Sequence, residues 1–211
     1  MLDVCSRLAR SRSVACVVDA SGGAVDVVTA SDVVRFLSNK MPIMGEIADA
    51  PVASIFKSKS VLSEVISASA RRCVGRMIDC DVSALALTDE TRPEGEFIGC
   101  FSLNDFRRID SHEDLSAMRS CSVLEFVSRK RVDTFAGESG PSVPFRRHRF
   151  DEGTHRYVEL VYAKSDTPFE KLLAVFAERG IHHVFVLGIE PNVHRPHGVL
   201  TPSDVVAVLA A

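Results

Sequence analysis

A hydroxyl residue followed three positions later by aspartate occurs at Thr29 and Asp32, at Ser102 and Asp105, and at Thr201 and Asp204. Any one such pair reads as a helix capping box, worth on the order of 1 kcal/mol. An ionised carboxylate also accepts two hydroxyl donors at once, so the same aspartates are suited to gripping a ligand. His182 and His183 are adjacent. A nearby phosphate would raise an imidazole's pKa and favour its charged form, although neutral imidazole is a poorer phosphate partner than guanidinium. The competing reading is a pair of half-exposed histidines at the start of a strand. His194 and His197 invite a metal reading, but they sit in a Pro-containing loop with no Cys or acid in register, so no metal site is expected. The chain has no Gly-x-Ser-x-Gly, no phosphate-binding Gly-rich loop with Lys, no His-Glu-x-x-His and no kinase signature set, so it does not read as an enzyme.

The elements that must position these residues come from an ordinary globular composition. The chain has 211 residues, 46% hydrophobic and 25% charged, with a net charge of −3. That balance offers no electrostatic reason to bind a nucleic-acid backbone or an anionic membrane surface. The longest apolar run, Val205 to Ala211, is far below the roughly 20 residues needed to span a bilayer. The N-terminus lacks the apolar region of a secretory signal. Cys5, Cys16, Cys73, Cys80, Cys100 and Cys121 form no Cys-x-x-Cys pair and mostly sit in apolar patterns. A reduced cytoplasmic setting, or the nucleus, is the expectation.

Self-similarity organises the chain. Three segments, beginning at Val14, Val82 and His183, each read as strand, turn, strand, helix, and each hydroxyl-Asp pair falls where the second strand gives way to the helix. Apolar positions at helical spacing follow, as Val33, Val34, Phe36 and Leu37, and again Val205, Val206, Val208 and Leu209. Upstream lies a helical pattern in each: Leu2, Cys5 and Leu8; Val74, Met77 and Ile78; Phe169, Leu172, Leu173 and Phe176. Extra strands are expected at 61–66 and 157–162, with none before the first unit. Residues 38–59 read as a connector, and 129–156, which include Arg146, Arg147 and Arg149, as a long polar mobile loop that either docks on a partner or is merely solvated.

The order helix, Val-x-x-Val-Val-Asp, Gly turn, strand, Thr-x-x-Asp, helix resembles the cystathionine-β-synthase (CBS) domain. Residues 23–34, 82–85 and 181–187 resemble in particular the γ regulatory subunits of AMP-activated/sucrose-non-fermenting protein kinases, nearest the plant γ-like branch. The resemblance implies an α/β fold of tandem CBS repeats, each helix-strand-strand-helix, paired into a Bateman-type module. It implies a partial repeat over 1–40 lacking its first strand, a connector over 41–59, a repeat over 60–110 and a repeat over 111–211. The second and third repeats then form one complete pair, and the first repeat is left unpaired, with an uncovered apolar face.

By the same resemblance, adenine nucleotides lie between paired repeats. Asp204, Asp105 and, more weakly, Asp32 would receive ribose hydroxyls beside Thr201, Ser102 and Thr29. His182 and His183 would reach phosphate, with His183 standing where relatives carry Arg. Ser83 and Ala84 would line the adenine pocket, but Asp81 stands where a basic residue is usual. Thr167 would contact ligand, with Ser69 its counterpart in the second unit, although Thr167 before Pro168 also reads as a plain helix start.

The expected role is a non-catalytic sensor of AMP, ADP or ATP, with no cofactor beyond that regulatory ligand. Its partners would be the catalytic and scaffold subunits of a kinase complex, or a second copy joined through the first repeat. The alternative is a CBS scaffold that keeps the fold and has lost the ligand.

Overall fold

The computed structural model describes residues 2–11, 14–57, 60–92, 95–106, 109–131, 146–151, 156–188 and 195–210. The chain divides into two compact units. The first comprises 1–59, 163–189 and 198–211, and the second 60–162 and 190–197.

In the first unit, α1 (Leu2–Ser11) precedes β1 (Val14–Val18), β2 (Ala24–Thr29) and α2 (Ala30–Ser38). β1 and β2 pair antiparallel, with Cys16 opposite Val27. The turn between them is built by Asp19, whose Oδ1 accepts the amides of Ser21 (2.8 Å) and Gly23 (2.9 Å) and the Ser21 hydroxyl (2.6 Å). Gly22, at φ +85°, supplies the left-handed step that such a turn needs. A 3-10 helix (Met41–Ala48) and α3 (Val52–Ile55) follow, then α8 (Phe169–Arg179), β8 (Val184–Leu187), the end of β9 (Pro196–Leu200) and α9 (Pro202–Leu209).

The connector is tied to the third repeat. The amides of Val52 and Ala53 donate to the carbonyls of Thr167 (2.8 Å) and Ser165 (3.0 Å), Phe169 donates to the Ala50 carbonyl (3.0 Å), and the rings of Phe56 and Phe169 stack at 5.6 Å.

The helical side of the first repeat is covered within the chain, contrary to the expectation that this repeat stands unpaired. α1 packs on α9, and α2 packs on both α8 and α9. Cys5, Leu8, Val33, Val34 and Leu37 are buried there, as are Phe169, Leu172, Leu173, Phe176, Val205 and Val206. The strand side is open, as expected: Val14, Val18, Val25 and Val27 are half exposed or more. Two apolar assignments fail. Phe36 and Ile78 lie on solvent faces, at 43% and 73% exposure, because each is one step outside the buried stripe of its helix.

The second unit holds β3 (Ser63–Val65), parallel to β4 (Ala84–Asp89), which pairs antiparallel with β5 (Glu96–Ser102). α4 (Ala70–Asp79) packs against α6 (His112–Ser120) and α7 (Val123–Arg131), while α5 (Leu103–Phe106) is a single turn. Residues 112–131, expected to open the third repeat, therefore complete the core of the second. That core includes Ala70, Cys73, Met77, Leu85, Leu87, Phe101 and Phe126, with Phe101 edge-on to Phe106 and Phe126.

Within the expected polar loop of 129–156 the structure places the end of α7 and a strand, β6 (Arg146–Asp151), antiparallel to β7 (Arg156–Lys164). These join β8 and β9 in a four-stranded sheet of order β6-β7-β8-β9. Arg146, Arg147 and Arg149 all fall in β6.

Glu64 of β3 is 5% exposed and bridges two cations of α4. Arg76 Nη1 lies 3.0 Å and Arg72 Nε 3.2 Å from its Oε2, and Arg76 also donates to the Ser63 carbonyl at 2.9 Å. Burial alone would raise the Glu64 carboxyl. The bond from Arg76, the Val65 amide and both guanidinium charges outweigh it and hold the group below its usual range. Folding therefore gains from the ionised form. The gain is complete above the ordinary Glu value of about 4.3 and is lost as pH falls through the lowered folded value. We expect Glu64→Gln to lower unfolding free energy in urea by about 2 kcal/mol at pH 7 and by much less at pH 3. Equal losses at both pH values would refute this role.

Candidate functional site

Thr29–Asp32 and Thr201–Asp204 are closed, reciprocal capping boxes, and Ser102–Asp105 forms the carboxylate half of one. Asp32 Oδ2 accepts the Thr29 amide (2.9 Å) and hydroxyl (2.6 Å), and the Asp32 amide returns to Thr29 Oγ1 (3.3 Å). Asp204 and Thr201 repeat this at 2.9, 2.8 and 3.4 Å. Asp105 Oδ2 accepts the Ser102 amide (2.8 Å) and hydroxyl (3.2 Å). The capping reading thus holds for the carboxylate in all three copies. One oxygen of each aspartate, Oδ2, does this work. Asp105 is buried, whereas Asp32 and Asp204 are partly exposed. The Asp32 carboxyl is held below its ordinary range chiefly by the Thr29 hydroxyl, then by the Thr29 amide, with a smaller contribution from Arg35.

The first unit contains a recess of about 80 Å³, partly open to solvent. α2 contributes Ser31, Val34 and Arg35; the end of α8 contributes Phe176, Ala177 and Gly180; Ile181, His182 and Pro202 complete the wall. Gly180 ends α8 at φ +59°, a left-handed cap that turns the chain into Ile181 and His182. Ser31 sits inside the Thr29–Asp32 box, and Pro202 directly follows Thr201. The recess thus gathers His182 and the starts of two capped helices, whose first-turn amides favour negative charge. Sequence reasoning missed Ser31, Arg35, Gly180 and Pro202 as wall residues. Arg35, one turn after Asp32 on a capped helix, was the available signal.

The other candidates fall elsewhere. Ser83, Ala84, Ser102 and Asp105 lie together in the second unit: Ala84 pairs with Ser102 across β4 and β5, and the Leu103 amide donates to the Ser83 carbonyl at 3.0 Å. Thr167 is buried with its hydroxyl accepting the Lys164 amide at 2.8 Å, and Pro168 precedes α8 at the cap, so the plain helix-start reading describes it. Ser69 caps α4 by accepting the Arg72 amide at 3.2 Å. Asp81 takes φ +51° in the turn from α4 to β4, a conformation aspartate tolerates better than most residues. His183 is half-buried before β8, and His194 lies outside the described residues. Among the described residues no group of His, Cys, Asp and Glu could hold a metal ion, and no helix is long and apolar enough to cross a membrane.

The cap geometry sets two expected outcomes. Thr201→Val removes a cap hydroxyl and lowers stability by about 1 kcal/mol in urea titration. Thr29→Val removes the main cause of the low Asp32 carboxyl, so NMR titration of Asp32 should shift upward in the variant. An unchanged titration would show that the hydroxyl is not the controlling partner.

The CBS domain model matches residues 156–211. No curated protein matches the sequence. Among solved structures, a Methanocaldococcus jannaschii protein described as a candidate archaeal homologue of γ-AMPK superposes with a TM-score of 0.60 at 15% identity, over 97% of this chain and 62% of that one. This chain therefore spans less than two thirds of that protein's length. An uncharacterised conserved protein from Pyrococcus horikoshii gives a TM-score of 0.65 at 15% identity, over 99% of this chain and 75% of its own. The CBS domain of a bacterial CNNM/CorC family Mg2+ transporter, solved with ATP, gives 0.51 at 12% identity, over 83% and 94%. At these identities the likeness is one of fold. Residues 156–211 match the CBS domain, and the helices and strands of the chain have the fold of tandem CBS repeats.

Proposed function

We propose that this chain is a regulatory module that binds an adenosine ligand of the AMP, ADP or ATP type where its repeats meet, and passes the bound state to a protein kinase complex. The observation that carries the reading is the recurrence of one aspartate geometry at the strand-to-helix turn of every repeat, with His182 and two of those helix starts around a single recess. The ATP-bound CBS domain of the transporter supports it by showing that a domain of similar fold holds such a nucleotide. In this reading Asp204, Asp105 and Asp32 accept ribose hydroxyls, and the ligand acts by its differential affinity for two arrangements of the repeats. The side chains bind and do not react.

Because Asp204 also caps α9, its removal confounds stability with binding, and Thr201→Val provides the control: it loosens the cap and keeps the carboxylate. Calorimetry with AMP, ADP, ATP and S-adenosylmethionine should show binding of at least one compound, weakened about tenfold or more by Asp204→Ala or Asp105→Ala and little by Thr201→Val. Absence of heat and of thermal stabilisation with all four compounds would sink the reading.

The second reading is a scaffold without ligand, and the open strand face of the first repeat favours it. A second copy would supply the cover, since a two-fold axis sets the same valines against one another. Sedimentation should then show a dimer that Val27→Lys dissociates. A monomer at all concentrations would count against it.

A further inference from the structure

We infer that the outer edge of β1 is an interaction surface that takes an extended segment of a partner protein as a parallel third strand. The inference is independent of the nucleotide reading, and it concerns the edge of the hairpin and not its valine face. The hairpins of the first and second repeats are built alike. Val14 stands opposite Thr29 as Ala84 stands opposite Ser102, and both registers shift at the same step, between Val17 and Val18 and between Leu87 and Thr88. Asp89 repeats the turn of Asp19, its Oδ1 accepting the Thr91 amide at 3.0 Å and the Thr91 hydroxyl at 2.6 Å. Cys16 therefore corresponds to Ala86, and Val18 to Thr88.

In the second repeat this edge is filled. β3 runs parallel to β4, with Ser63 beside Ala86 and Val65 beside Thr88. The Ala86 amide donates to the Leu62 carbonyl at 2.9 Å, and the Ile66 amide to the Thr88 carbonyl at 3.0 Å. Leu62 and Ile66 pack against the core of that unit. In the first repeat β1 pairs with β2 alone among the described residues. By the correspondence, the main-chain groups of Cys16 and Val18 point away from β2, into the place that β3 takes beside β4.

Nothing in β1 defends this edge. Val14 to Val18 carry no charge and no proline, the usual guards against strand pairing, and Val14, Val17 and Val18 are exposed. The register shift is no obstacle, because β4 has the same shift and still holds β3. In such an addition main-chain bonds supply affinity, and alternate side chains specify the sequence. On the template of β3, the occupant is extended over the span from Leu62 to Ile66 and carries aliphatic side chains at those two positions.

The probe is a fluorescent peptide of residues 60–67 with Glu64→Thr, since the arginines that hold Glu64 belong to the second repeat. Anisotropy with the full chain should show saturable binding. Cys16→Pro, which removes an outward amide, should weaken it about tenfold or more, and Val27→Lys on the neighbouring strand should leave it within about twofold. Amide hydrogen exchange gives a readout that needs no variant. The peptide should slow Cys16 and Val18 and leave Ala15 and Val17, whose amides face β2, unchanged. Absence of binding at millimolar peptide, or slowing that spares Cys16 and Val18, overturns the inference. Protection of those two amides that rises with protein concentration in the absence of peptide assigns the edge to a second copy, and overturns it as well.

Discussion

At the strand-to-helix turn of each repeat one carboxylate oxygen holds two hydrogens of the residue three positions before it. Asp32, Asp105 and Asp204 each accept a backbone amide and a hydroxyl in this way. The grip fixes where α2 and α9 start and how they are rotated. That rotation turns Val33, Val34 and Leu37 on one helix, and Val205 and Val206 on the other, into the buried interface with α8 and α1. Each of these aspartates is therefore a structural fastener, so a substitution that removes its carboxylate also loosens the turn it holds.

The two units solve burial differently. The first covers its helices with helices from the far end of the sequence and leaves the face of β1 and β2 open. The second encloses an aromatic and aliphatic core around Phe101 and closes it with α6 and α7, while the Glu64 bridge holds β3 to α4. Cys73, beside that bridge, is pushed up to about 11 by burial and by the Glu64 charge, so it is a packing residue and not a reactive thiol.

Much of this was legible in the sequence. Repetition exposed the strand pairs and the helix starts, because a hydroxyl-x-x-Asp after a β-branched run is a local signal whose geometry needs no distant partner. The Asp19 turn was equally local. What could not be read depended on long-range choices. Whether Phe36 or Val33 faces the core is set by α8 and α9, and the capture of 112–131 by the second unit is set by α4. Arginine-rich 146–151 reads as solvated loop in composition, yet its backbone is paired along β7. Glu64 looks like any strand carboxylate until Arg72 and Arg76 are brought over it. Arg35 joins the wall of a recess only because α2 meets the end of α8.

The functional reading reduces to one physical demand: an adenosine phosphate must occupy the space between the starts of α2 and α9 and the turn at Gly180 to His182. Amide hydrogen exchange of the full chain with and without saturating AMP measures this directly. Exchange should slow together at residues 31–35, 181–183 and 203–205, with α6 unaffected as an internal reference. Identical exchange in the three segments, or slowing confined to other parts of the chain, would contradict it.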